Sequence, residues 1–243
     1  MKALLRQLLR RNDYALLNLR LEQSTGVLLP GHVAKIVSSC DVNCVLDVGA
    51  NGGHYGEMLR RYGYAGRIVS FEPASPAFRL LEQRASGDDA WHVRNWALGA
   101  HDEERTFQVA EAHWMSSFLP QRALCTTLGE NSAIVASEQV MMHRLDTVFH
   151  ESVAGIEQPR VFLKVDTQGY DLEVLRGATA SLSHVVALQT ELSLQPLYEG
   201  SPHYLDSLGF LESFGFHVTG LFDVVKDPRS NHIVEIDAIL TRG

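Results

Sequence analysis

The stretch VLDVGANGGHYGEMLRRYG, residues 45–63, decides the fold. It begins as a buried strand supplied by Cys44 to Val48, breaks at Gly49, Gly52 and Gly53, and resumes with the apolar spacing of a helix. A strand that turns through glycines into a helix is the opening unit of an open α/β sheet, and the glycines let the backbone turn tightly and come close to a ligand. The spacing D-x-G-x-N-x-G departs from the dinucleotide fingerprint G-x-G-x-x-G, because Asn51 stands where the second glycine is expected. Alone, the loop also fits a plain strand-to-helix turn.

The next strand, RIVSFEP, ends in Glu72 about twenty residues past the loop, where an acid at a strand's carboxyl end can accept two hydrogen bonds from ribose hydroxyls. The competing reading of Glu72 is a helix N-terminal charge ahead of Pro73 and Ser75. Asp47, beside the loop, suits the ammonium of an amino-acid moiety and would repel a pyrophosphate. An adenosine that carries a cation meets both conditions, and S-adenosylmethionine is such a molecule.

Further along, apolar runs of four to seven residues alternate with helical patterns, as in a parallel sheet with crossover helices. Strands are expected over 43–48, 67–71, 92–97, 161–165 and 184–190, and helices over 53–63, 75–86, 169–178 and 203–214. RTFQVA and AIVASEQVMMHRL look like extra strands, separated by the polar loop SSFLPQRALCTTLGENS. FHVTGLFDVV and HIVEIDAILTR read as two strands joined by the turn KDPRSN. The whole is expected to be one domain, a three-layer α/β sandwich closed by an antiparallel hairpin, with a core from residue 43 to 243.

The chain has 243 residues, 45% of them apolar, and 21 basic against 29 acidic residues give it a formal charge of −8. That balance offers no general pull toward phosphate backbones, so nucleic acid is not expected as a partner. Three cysteines make no complete disulfide set and no zinc set, which points to a reducing, cytoplasmic setting. Residues 1–30 are expected to form an amphipathic extension: Arg6, Arg10 and Arg11 interrupt its leucines well short of a membrane-spanning length, and Pro30 and Gly31 punctuate its end. Its apolar side would dock on the body, on a second subunit as a homo-oligomer contact, or on a membrane surface.

The chain resembles the FkbM-type S-adenosylmethionine-dependent methyltransferases from about residue 43 to its C-terminus. The resemblance is carried by VLDVGANGGHYG, IVSFEP, NWALG, LKVDTQGYDLEVLRGA and TELSLQPLYEG. It implies a Rossmann-like fold with a seven-stranded, mostly parallel sheet, S-adenosylmethionine as cofactor, and methylation of hydroxyls on sugars or natural products. By the same resemblance Asp47, Gly49, Asn51 and Gly53 would line the methionine end and Glu72 would hold the ribose. Asn95 to Ala97 would lie beside the adenine, with Ser117 as a further contact. Gln168 stands where many members carry glutamate, and His54 where an aromatic residue is common.

VFLKVDTQGYDLEVLRGA reads as a buried strand whose polar end carries Asp166, followed by a turn at Gly169 and a helix. Asp166 should therefore face the crevice that holds the loop and Glu72. Methyl transfer to a hydroxyl needs positioning, exclusion of water and removal of a proton, so carboxylates at strand ends are the natural candidates. Asp166 and Glu191 are taken as that pair, with Gln168 to orient the acceptor; a divalent metal held by Asp166 and Glu191 is the alternative way to lower the acceptor's pKa. Lys164 lies inside the strand and is read as structural, alternating away from the site. Three other functions compete. An N-methyltransferase would favour a proline-aromatic motif where this chain has Thr-Gln-Gly; a nicotinamide-dependent oxidoreductase is opposed by Asn51 and Asp47; a cofactor-binding protein without catalysis is the third.

Overall fold

A computed structural model describes residue 26 and residues 28–243. Of the amphipathic extension expected over residues 1–30, residues 1–25 and 27 lie outside the described residues. The chain continues as α1 (Leu29–Ser39), β1 (Cys44–Val48), α2 (His54–Arg61), β2 (Arg67–Phe71), α3 (Ser75–Ala85), β3 (Trp91–Arg94) and β4 (Ala97–Leu98). There follow β5 (Glu103–Ala110), α4 (Ala123–Leu128), β6 (Ile134–His143), α5 (Leu145–Ser152), β7 (Val161–Val165) and α6 (Asp171–Arg176). The last elements are β8 (Val185–Ser193), α7 (Tyr204–Ser213), β9 (Phe216–Lys226) and β10 (Ile233–Arg242).

Seven strands form the main sheet in the order β3-β2-β1-β7-β8-β10-β9, with only β10 running antiparallel to its neighbours. This is the expected Rossmann-like three-layer sandwich, with its C-terminal antiparallel hairpin. β1 and β7 lie at the centre and every residue of both is buried, which is why they read as near-continuous apolar runs. The hairpin turn has the chemistry expected of it: Asp227 accepts from the Arg229 backbone N–H at 2.9 Å and from the Ser230 hydroxyl at 2.9 Å.

Side-chain alternation sorts the strands between two cores. Leu46, Val48, Leu163, Val165, Leu188 and Leu240 pack with α5, α6 and α7 on one face. Val45, Phe162, Ala187 and Ile239 pack with α1, α2 and α3 on the other. Pro30 and Gly31, expected to end the preceding segment, instead sit in the first turn of α1. A proline there costs no hydrogen bond, because the first amides of a helix have no partner within it. Two further differences arise between residues 97 and 143. The segment expected as strand 92–97 splits, since β4 leaves the main sheet and pairs with β6, which pairs with β5 in a second, three-stranded sheet. The loop expected over 116–132 contains the six-residue helix α4.

Candidate functional site

A cleft opens at the carboxyl ends of β1, β2 and β7, with the 113–118 segment after β5 as its further wall. Gly49, Asn51, Glu72, Ala97, Asp166 and Gln168 line it, together with the apolar side chains Phe71, Trp96, Leu98, Phe107 and Phe118. Asp47, Gly53, Asn95, Ser117 and Glu191 do not. His113, Trp114, Ser116 and Thr167 also line it.

Glu72 follows β2 and is buried. One carboxylate oxygen accepts from the Asn51 backbone N–H at 2.8 Å and the other from Ala74 N–H at 2.8 Å, so this side chain ties the glycine turn to the start of α3. Each oxygen keeps a second acceptor position for hydroxyls in the cleft. Burial pushes its pKa up to about 7, against the pull of those two N–H groups. Asn95 works from behind, donating to the Glu72 and Pro73 carbonyls at 2.8 and 3.0 Å.

The glycines of the turn are needed for packing within the protein. Gly49 has φ +74°, and a Cβ on it would stand 1.9 Å from the Asp166 carbonyl oxygen. Gly53 has φ +84°, and its Cβ would meet Leu81 at 2.9 Å and Trp91 at 3.3 Å, away from the cleft. Asn51 also adopts a left-handed conformation, at φ +47°. Close approach to a ligand is thus not the only demand on this turn: β7 on one side, α3 and β3 on the other, already require it.

Asp47 is fully buried. Ser70 donates its hydroxyl to Asp47 Oδ2 at 3.1 Å, and Lys164 Nζ lies 3.3 Å from Oδ1. The structure corrects the reading of Lys164. Asp47 and Lys164 are register partners in adjacent parallel strands, and Asp166 lies two residues beyond Lys164, so all three share one face of the sheet. Lys164 Nζ reaches 3.5 Å from Asp166 Oδ2 and donates to the Gly49 carbonyl at 2.9 Å.

Beyond β7 the chain turns through Gln168 and Gly169, both left-handed at φ +53° and +85°. A non-glycine residue at such a φ is held by its surroundings. Gln168 Nε2 donates to Asp166 Oδ1 at 3.1 Å and lies 3.3 Å from Glu191 Oε2, while Tyr198 donates to Gln168 Oε1 at 2.9 Å. Ser117 donates to the Gln168 carbonyl at 2.8 Å, which places its hydroxyl behind the cleft wall. Glu191 opens into a separate small recess with Ser193 and Ser201. Burial, with Asp166 and Glu235 nearby, raises the Glu191 pKa well above the usual carboxylate range. Burial likewise lifts Asp171 and Asp237 to about 6 and Glu235 to about 7.

Among the described residues no group of three or more His, Cys, Asp or Glu side chains is disposed to hold a metal ion. No helix among them is long and apolar enough to cross a membrane.

The family model for the methyltransferase FkbM domain matches residues 47–218. No curated protein matches the chain. Among solved structures it is similar to Aeropyrum pernix fibrillarin with natively bound S-adenosyl-L-methionine, at 14% identity and TM-score 0.43 over 81% of this chain and 66% of that one. An rRNA methylase from Streptococcus thermophilus is 11% identical at TM-score 0.47, over 89% of this chain and 98% of that one. A SAM-dependent methyltransferase from Aquifex aeolicus is 12% identical at TM-score 0.43, over 89% and 91%. With the family model covering well over half of its length, the chain belongs to the FkbM methyltransferase family and is an S-adenosylmethionine-dependent methyltransferase.

Proposed function

We propose that the enzyme methylates a hydroxyl of a saccharide, or of a glycosylated or polyketide-like small molecule, with Asp166 receiving the hydroxyl proton. The observation that carries this reading is the Asp166 carboxylate. It stands in the wall of the same cleft as Glu72, its side chain is 37% exposed, and neighbours hold both of its oxygens. The bound cofactor supplies an electrophilic methyl group on a positively charged sulfur. Glu72 holds the ribose hydroxyls with its remaining acceptor positions, Gly49 and Asn51 border the methionine end, and Ala97 beside Trp96 borders the adenine. Asp47, Gly53, Asn95 and Ser117 act from behind the cleft wall by fixing these groups. Gln168 keeps Asp166 turned toward the acceptor and links it to Glu191. Phe107, Phe118 and Trp114 exclude water from the reacting oxygen, which strengthens the carboxylate as a proton acceptor. The sugar preference is supported by the family resemblance, and the hydroxyl by a carboxylate in the cleft wall that can accept a proton.

Incubation with labelled S-adenosylmethionine and a panel of sugars, nucleotide sugars and aglycones, with products identified by mass, tests the acceptor class. In the same assay Asp166→Asn should lower turnover by about 10²–10⁴-fold while cofactor affinity stays near that of the parent. Methyl transfer confined to amines, or full turnover by Asp166→Asn, would refute the reading.

A further inference from the structure

Lys164 is the only buried lysine or arginine among the described residues. Burial alone would lower its pKa, but the Asp47 and Asp166 carboxylates outweigh that and keep the ammonium charged. A buried lysine needs a partner, and Asp47, itself fully buried at 3.3 Å, already provides one. The arm nevertheless reaches two more groups, both in the cleft wall: the Gly49 carbonyl at 2.9 Å and Asp166 Oδ2 at 3.5 Å. The Tyr55 ring lies with its centroid 5.5 Å from Nζ, and the Tyr55 hydroxyl is tied to Gln189 at 2.8 Å, so the ammonium has a fixed surround. Gly49 and Asp166 also touch directly, since no Cβ fits between them.

We propose that Lys164 is a positioning residue that fixes the Asp166 carboxylate in the cleft and ties it to the Gly49 turn, so that the cofactor side and the acceptor side of the cleft keep one spacing. The proposal rests on the reading of Asp166 given above. Asp166 is then held from two directions, by Lys164 on Oδ2 and by Gln168 on Oδ1, with its remaining lone pairs open to the cleft. Transfer from a sulfonium is in-line and short-range, and a misplacement of about 1 Å costs on the order of a hundredfold in rate.

Two measurements test it. The first needs no acceptor: crystal structures of Lys164→Met and of Asp47→Asn/Lys164→Met, the second variant removing the buried pair together in case the single variant does not fold. The Asp166 carboxylate should leave its place and the Gly49 carbonyl should turn in both, whereas Asp47→Asn alone should leave Asp166 where it is. The second is kcat, at saturating S-adenosylmethionine, on the best-methylated member of the sugar panel. Lys164→Met should lose about a hundredfold, and adding it to Asp166→Asn should cost less than about threefold more, because the two residues act through one carboxylate. A residue that served only stability would leave kcat of the folded variant unchanged, or would add its full loss on top of Asp166→Asn. Either result, or an unmoved Asp166 in both lysine variants, overturns the role of Lys164. Full turnover by Asp166→Asn alone overturns the reading of Asp166 instead.

Discussion

Replacing Glu72 by alanine should destabilise the protein by an amount that depends on pH. The side chain accepts from two backbone N–H groups, each at 2.8 Å, and it is only 6% exposed. Alanine leaves both N–H groups without that acceptor, and a buried donor stripped of its partner costs about 1–3 kcal/mol, hence about 2–6 kcal/mol for the pair. Against that stands the charge. The Glu72 pKa rises from the ordinary 4.5 to about 7. The unfolded chain therefore gives up this proton before the folded protein does, and wild-type stability falls as pH rises from about 4.5 to about 7. At 1.36 kcal/mol per pH unit this amounts to about 3 kcal/mol, which the alanine variant does not lose. Urea unfolding at about pH 4, below the unfolded value, should show the full deficit of Glu72→Ala, and at about pH 8 a deficit smaller by about 3 kcal/mol. A deficit that is the same at both, or that grows with pH, would refute this account. For the cofactor the better variant is Glu72→Gln, which keeps one acceptor oxygen; calorimetry with S-adenosylmethionine should show affinity lower by about ten- to a hundredfold.

Gly49→Ala sets a Cβ against the Asp166 carbonyl at a positive φ; a loss of about 2–5 kcal/mol is expected in denaturant unfolding, and a loss below about 1 kcal/mol would mean that β1 and β7 can part at little cost. Asp171, Glu235 and Asp237 share the raised pKa of Glu72. Their contribution is complete below the unfolded values near pH 4 and is lost as pH rises toward about 6–7, so the thermal midpoint should be lower at about pH 7.5 than at about pH 5. A midpoint that rises over that interval would show these groups ionised in the fold at the lower pH.

The parts of the site that rest on one strand and its turn were legible in the sequence. The glycine turn, Glu72 at the end of β2 and Asp166 at the end of β7 follow from apolar runs that stop at a polar residue. What depends on pairing between distant strands was not. Lys164 is the clearest case: alternation within β7 already gives it the same face as Asp166, but its approach to Asp47 depends on the register of β7 against β1. The burial of Asp47 has the same origin. β5 and β6 were legible as RTFQVA and AIVASEQVMMHRL, but β4 has two residues and α4 six, too few for any periodicity to show, so the place of β4 beside β6 and the wall made by His113, Trp114 and Ser116 had no sequence signature. Ser116 and Ser117 are neighbours of one residue type, and only the bond from Ser117 to the Gln168 carbonyl tells which faces inward.

The pairing of β1 with β7 also bears on how the chain is made. Lys164 and the Gly49 carbonyl it binds are separated by 115 positions in sequence. During synthesis β1 can join β2 early, but its other edge has no partner until β7 has left the ribosome. For that interval a strand whose five residues are all buried in the finished protein offers a bare row of amides and carbonyls to whatever is near. Intermediates halted between β6 and β7 should therefore be the species that associate with one another or with a chaperone, and the arrival of a single strand both shields that edge and assembles the charged end of the cleft.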